Sequence, residues 1–200
     1  MRSPAFAALL LLPFLANAQD TASQTQTIAE KLRPSLVRIR VLEAQPVEGR
    51  EVRRESFGSG AIISPDGYVV TNHHVAGKAL YLKVTFSDKT EAEAKLVGTD
   101  PQSDIAVIKL APRANGQPYV AAEWGDSSTL KVGQPILAMG CPYALSQSVT
   151  SGIISNTELV IPKEAGEDVE LDGVDVGSIV RWIGHDAAIS PGNSGGPLVD

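Results

Sequence analysis

Ser194 stands among glycines in the run Gly192-Asn193-Ser194-Gly195-Gly196-Pro197. Glycine admits backbone conformations that a side chain forbids, and it leaves room for a substrate carbonyl beside main-chain amides. The setting suits a nucleophilic hydroxyl next to an oxyanion hole built from Gly192, Asn193 and Ser194, with the amides of Gly192 and Ser194 as the expected donors. A hydroxyl of this kind needs a base, and the base needs an acid to orient its ring. The chain has three histidines, His73, His74 and His185. Two of them follow Tyr68-Val69-Val70-Thr71-Asn72, which reads as a strand able to act as a rigid platform; spacing does not choose between His73 and His74. Asp104 stands directly ahead of the apolar run from Ile105 to Leu110, where a carboxylate can be half buried and accept an imidazole N–H. Each residue alone has an ordinary reading as a turn or structural residue. In the order His, Asp, Ser, each in such a setting, they can carry out acyl transfer. A Gly-x-Ser-x-Gly elbow fits less well, because it needs a histidine after the serine.

The elements that must hold these residues are short strands. Hydrophobic residues make up 43% of the 200 residues, aromatics only 5%, and there are 18 glycines and 13 prolines. That mixture favours strands and tight turns over long helices. Val37, Ile39 and Val41 alternate with Arg38 and Arg40, and Leu82, Val84 and Phe86 alternate with Lys83 and Thr85, a period of two. Further strands are predicted at Ala61–Ile63, Tyr68–Asn72, Ala92–Val97 and Ile105–Leu110, enough for one small barrel over residues 35–111. Pro112 to Pro118 reads as a linker. A second barrel over residues 119–200 is predicted from Pro135–Met139, Gln147–Ser155, a stretch near Leu159, Ser178–Ile183 and Pro197–Val199. Ahead of both, residues 19–34 include the capping-box pattern Thr27-Ile28-Ala29-Glu30, which predicts a short helix through Leu32 ended by Pro34.

Charge and leader narrow the function class. A net charge of −6 speaks against a nucleic-acid binder, which needs a basic face. Arg2, the apolar run Ala5–Leu15 and the small-x-small motif Ala16-Asn17-Ala18 read as a signal peptide over residues 1–18, cleaved after Ala18. The run is too short to span a hydrocarbon core of about 30 Å as a helix. A periplasmic or secreted protein without stable membrane insertion is therefore expected. Cys141 is the single cysteine, so no internal disulfide forms, and its apolar surroundings read as those of a small buried hydrophobe. The segment Glu158–Asp175 is strongly acidic and reads as a solvated loop. Its stretch Asp168-x-Glu170-x-Asp172-Gly173 opens like a calcium loop, but Ile179 stands where the bidentate carboxylate belongs, so no metal site is expected. Three histidines do not make one either: neighbours on a strand point to opposite faces. No cofactor is implied.

The chain resembles the HtrA/DegP family of trypsin-like serine proteases from about Ile28 to Asp200. The resemblance is carried by Gly58-Ser59-Gly60-Ala61-Ile62-Ile63 with Gly67–Asn72, and by Ser103-Asp104-Ile105-Ala106-Val107. Trp124-Gly125-Asp126-Ser127, Val132-Gly133, Thr150–Ser155, Asp186–Ile189 and Gly192–Pro197 continue it. The resemblance implies an all-β, two-barrel chymotrypsin/trypsin-like fold and a triad of His74, Asp104 and Ser194. The family pattern Thr-Asn-x-His-Val selects His74 over His73. It further implies a serine endopeptidase acting on exported or unfolded polypeptides, with a homotrimer as a possible assembly. Ile189 falls where the family lines its primary specificity pocket, implying small aliphatic residues before the scissile bond.

The sequence departs from the pattern in three places. Cys141 and Ala144 replace the Asn and second Gly of a family turn. The acidic segment lies where the family has loops that shape and regulate the site. The strands after Ser194 are too few to close a second barrel, so that barrel is expected to lack its last strands. The alternative expectation is a catalytically impaired, protease-like binding or chaperone module, or a gene fragment.

Overall fold

The computed structural model describes residues 23–47, 49–142, 147–161, 170–171 and 173–200. The leader, its cleavage position, Ala144 and most of the acidic segment with its calcium-like opening lie outside the described residues. Residues 23–32 form a helix, α1, which begins before the expected capping box. Thr27 is inside it: its hydroxyl donates back to the Ser23 carbonyl at 2.9 Å, the i−4 bond common for Thr in a helix interior. Gln26 meanwhile donates to Glu30 at 2.9 Å, so Glu30 is not half of a capping box.

The following half is a closed barrel. Its strands are β1 (Leu36–Val47), β2 (Arg50–Ile62), β3 (Tyr68–Asn72), β4 (Ala79–Thr85), β5 (Glu91–Asp100) and β6 (Ile105–Leu110), in the order β1-β2-β3-β6-β5-β4. Closure leaves each strand one inward face, and the alternation of Val37, Ile39 and Val41 fills it; all three are fully buried. Ile62, Val69, Val84 and Ile108 meet them in the centre with no exposed surface. Burial of one such side chain is worth about 1.5–3 kcal/mol, which makes this the firmest part of the molecule.

Two features differ from the sequence expectation. Strand β2 starts at Arg50, well before the expected Ala61, and pairs with β1 from Val47↔Arg50 to Leu36↔Ala61. Its outer part pairs with β1 alone, forming a solvated ribbon whose residues carry no apolar alternation to announce it. Beyond β6 the chain also stays on the first barrel past the expected linker. Tyr119 is buried, stacks on Phe86 with ring centroids 5.6 Å apart, and donates its hydroxyl to the Ala111 carbonyl at 2.6 Å.

The second half is an open four-stranded sheet in the order β11-β8-β7-β12, from β7 (Pro135–Gly140), β8 (Ser148–Leu159), β11 (Trp182–His185) and β12 (Leu198–Val199). Glu170–Leu171 (β9) and Val174–Asp175 (β10) form a small separate hairpin. The stretch near Leu159 is the end of β8, not a strand of its own. Strand β11 begins at Trp182, not Ser178, because the Ser178 N–H and hydroxyl both turn onto the Asp175 carboxylate. The buried cluster under this sheet is small, Ile136, Ala138, Ile154 and Ala187, with Leu137, Met139, Cys141 and Val176 buried outside it.

Candidate active site

The site begins where β3 ends. Asn72 is the extended cap of a one-turn helix, α2 (His73–Ala76), whose Val75 and Ala76 are buried in the first barrel. His73 and His74 therefore sit on a helical turn and not on the strand that the sequence suggested. The turn separates their fates. The His73 ring is buried and its Nδ1 meets Thr99 Oγ1 at 2.6 Å. The His74 side chain is 41% exposed, and its Nδ1 meets Asp104 Oδ2 at 2.7 Å.

Asp104 can reach both groups because its backbone is left-handed, with φ of 54°. That region costs a non-glycine residue about 1–2 kcal/mol, with Asp among the residues that tolerate it best. Three hydrogen bonds hold it there. Its carbonyl accepts from the His73 N–H and from Asn72 Nδ2, both at 2.9 Å, and its Oδ1 accepts from the His74 N–H at 2.9 Å. The carboxylate is thus clamped at both oxygens by one residue, His74. An imidazole that donates Nδ1–H to a carboxylate presents its Nε2 lone pair, the state a general base needs.

The Ser194 loop approaches from the other half. Ser190-Pro191-Gly192-Asn193 is a turn closed by Asn193 N–H to Ser190 O at 3.0 Å, with Gly192 at φ of 101°. Proline in the second place and a positive-φ glycine in the third are the marks of a type II turn. The Asn193 amide is therefore occupied, whereas the Gly192 and Ser194 amides meet no acceptor among the described residues. The Ser194 carbonyl accepts from the Ser59 N–H of β2 at 2.8 Å. Gly195, with φ of 82°, lies so close to Ser59 O and Thr71 Oγ1 that a Cβ has no place there. The loop thus rests on β2 and β3, one residue from the cap of α2. The structure brings His74 and Asp104 into contact and Ser194 onto the strand beside them; Ser194 Oγ makes no hydrogen bond to His74 among the described residues. Such bonds are often long in a free enzyme.

The wall next to the loop is tied to β8. Asp186 Oδ1 accepts from the Ile153 N–H at 2.7 Å, and Thr150 Oγ1 donates to the Ala188 carbonyl at 2.8 Å. Ile189 is 57% exposed at the end of this segment. Cys141 is buried, its thiol pushed up above its ordinary pKa by that burial, which keeps it protonated and inert. Ser59, Asn72, Thr150 and Asp186 have no role in the sequence reading. Their partners lie far along the chain, and the one signal they left is their place in the blocks Gly58–Ile63, Gly67–Asn72, Thr150–Ser155 and Asp186–Ile189 that carry the family resemblance.

The family model for the trypsin-like peptidase domain matches residues 58–200. The chain belongs to the trypsin-like peptidase family. A second model, Peptidase S46, matches residues 18–87. Among curated proteins, one named "Probable periplasmic serine endoprotease DegP-like" from Pseudomonas fulva (strain 12-X) is 46% identical over 150 residues, covering 75% of this chain and 28% of that protein. Its namesake from Marinomonas sp. (strain MWYL1) is 44% identical over 156 residues, covering 78% of this chain and 29% of that protein. The chain thus spans less than a third of the length of these relatives. Among solved structures, the HtrA-type protease AlgW with a decapeptide superposes with a TM-score of 0.73 at 29% identity, covering 88% of this chain and 54% of that one. The same protease with a tripeptide gives 0.70 at 31% identity, covering 88% of this chain and 50% of that one. The fold is accordingly the all-β, two-barrel arrangement of HtrA-type proteases, with the second barrel represented by its partial sheet. No helix among the described residues is long and apolar enough to cross a membrane.

Proposed function

We propose that the protein is a periplasmic serine endopeptidase that cleaves exported, unfolded polypeptides through an acyl-enzyme. The observation that carries this reading is the double clamp between His74 and Asp104, N–H to Oδ1 at 2.9 Å and Nδ1 to Oδ2 at 2.7 Å. It leaves His74 Nε2 as the only ring nitrogen able to take a proton. In the proposed sequence Nε2 accepts the Ser194 Oγ proton as Oγ bonds to the substrate carbonyl carbon. The carbonyl oxygen, now negative, is held by the Gly192 and Ser194 amides. The peptide C–N bond then breaks, and Nε2 returns the proton to the leaving amine. Water repeats the steps to release the acid. Asp104 keeps accepting the Nδ1–H and holds the ring. The exposed, aliphatic Ile189 favours small aliphatic residues before the scissile bond.

A fluorophosphonate probe tests the assembled site. Wild-type protein is expected to label at Ser194, and His74→Ala or Ser194→Ala to abolish labelling. Folded wild-type protein that resists the probe would turn the reading toward a protease-like binding module. A peptide panel tests the pocket: a preference for Lys or Arg before the cleaved bond would reject the role given to Ile189.

A further inference from the structure

Ser59 is fully buried between two glycines of β2, yet all its polar groups are engaged, and three of its four partners belong to the second half of the molecule. Its hydroxyl donates to the Gly192 carbonyl at 2.7 Å and accepts from the Cys141 N–H at 2.8 Å. Its N–H donates to the Ser194 carbonyl at 2.8 Å, and its own carbonyl accepts from Thr71 Oγ1 at 2.7 Å.

We infer that Ser59 is the positioning residue of the oxyanion loop. The inference rests on the proposed use of Ser194 and of the Gly192 and Ser194 amides. The physical reason is the softness of glycine. Gly192 at φ of 101° can rotate the peptide that follows it at little cost, and a solvated loop would sample several orientations. Because each peptide is a rigid plane, fixing its oxygen fixes the whole unit. Ser59 fixes two such oxygens, those of Gly192 and Ser194, on either side of Asn193. The planes that carry the Gly192 and Ser194 amides are therefore restrained at their neighbours before any substrate arrives. Preorganised donors are what makes an oxyanion hole effective. The Cys141 N–H occupies one of the two lone pairs of the Ser59 hydroxyl, and the Gly192 carbonyl takes its proton. Buried without that partner, the hydroxyl could rotate; with it, one orientation remains.

The test compares Ser59→Ala and Ser59→Thr with the wild-type protein. Ser59→Ala is expected to lower kcat by about 10–10²-fold, somewhat less than deletion of an oxyanion donor, with KM within twofold. Affinity for a peptide aldehyde, whose adduct oxygen occupies the hole, is expected to fall in parallel, while affinity for a product peptide stays constant. Ser59→Thr retains the hydroxyl and is expected to recover most of the kcat. Unchanged kcat in Ser59→Ala overturns the inference, as does a loss shared equally by product-peptide affinity, which marks general loosening of the fold. If Ser59→Ala does not melt cooperatively, Ser59→Thr decides alone: wild-type kcat and aldehyde affinity support the inference, and loss of both overturns it. Turnover that survives Ser194→Ala refutes the Ser194 reading itself, a result separate from either outcome at Ser59.

Discussion

The two halves of the molecule hold their parts of the site by different means. The first half is a closed six-stranded barrel around one cluster of fourteen buried apolar residues, whereas the buried cluster under the sheet of the second holds four, with Leu137, Met139, Cys141 and Val176 buried outside it. His74 and Asp104 are anchored in the first through Val75 and Ala76 below one and Ile105–Leu110 after the other. Ser194 lies on a loop of the second, where little packing can hold it. What it lacks in packing it takes from the other half, through Ser59 and through the contact of Gly195 with Ser59 O and Thr71 Oγ1. The proposed base and its acid thus stand on a core, and the proposed nucleophile is held by hydrogen bonds to it. Removing a polar group that aims the site should therefore act on chemistry, and removing a buried group that only packs should act on stability.

The largest expected effect sets that division most sharply. Asp104→Asn keeps the shape, and its Oδ1 can still accept the His74 N–H. Its amide nitrogen, however, faces His74 Nδ1 and selects the wrong tautomer, so kcat is expected to drop by about 10⁴-fold. Thermal unfolding should move far less than that factor implies. A retained kcat would break the assignment of Asp104. The next effect concerns the halves themselves. Native-state hydrogen exchange is expected to leave amides of β1, β4 and β6 slowest and those of β11 and β12 faster by at least about 10²-fold. Equal protection would show that both halves unfold as one unit, and the comparison would lose its basis.

The first half was also the more legible in sequence, for the same physical reason. Strands β3 and β6 run over Tyr68–Asn72 and Ile105–Leu110 as predicted, because each is a short apolar, β-branched stretch with one face in the barrel core. The outer part of β2 has no buried face and left no such trace. Four residues are too few for a helical period, so α2 was read as a strand end, and the placing of His73 and His74 on a strand was wrong. The residues that could do chemistry were visible because their types are few and their order is specific. The groups that aim them were not. Asn72, Ser59 and Asp186 act through hydrogen bonds that reach residues dozens of positions away, and no local periodicity records such a bond.

His73 and His74 turn the comparison into a test within one helical turn. His73→Ala removes a buried ring and its bond to Thr99, which should cost about 1–3 kcal/mol of stability. Activity below the melting range should stay close to wild type. His74→Ala should do the opposite, abolishing turnover with little change in the unfolding midpoint. An inactive but stable His73→Ala variant would exchange the two roles.

The smallest effect is a matter of rate at Cys141. The thiol is buried at the seam where the second half meets Ser59, and burial raises its pKa, so the reactive thiolate is scarce at neutral pH. Raising the pH through the ordinary thiol range should therefore increase alkylation less than it does for a free cysteine. In the folded protein iodoacetamide is expected to react at least about tenfold more slowly than with an unstructured peptide thiol, and denaturant should remove the difference. The measurement reads the seam directly. If the second half opens away from the first on its own, Cys141 becomes reactive while the first barrel stays folded. Slow alkylation that tracks global unfolding means instead that the seam is as firm as the barrel, with the Ser59 bonds sufficient to make it so.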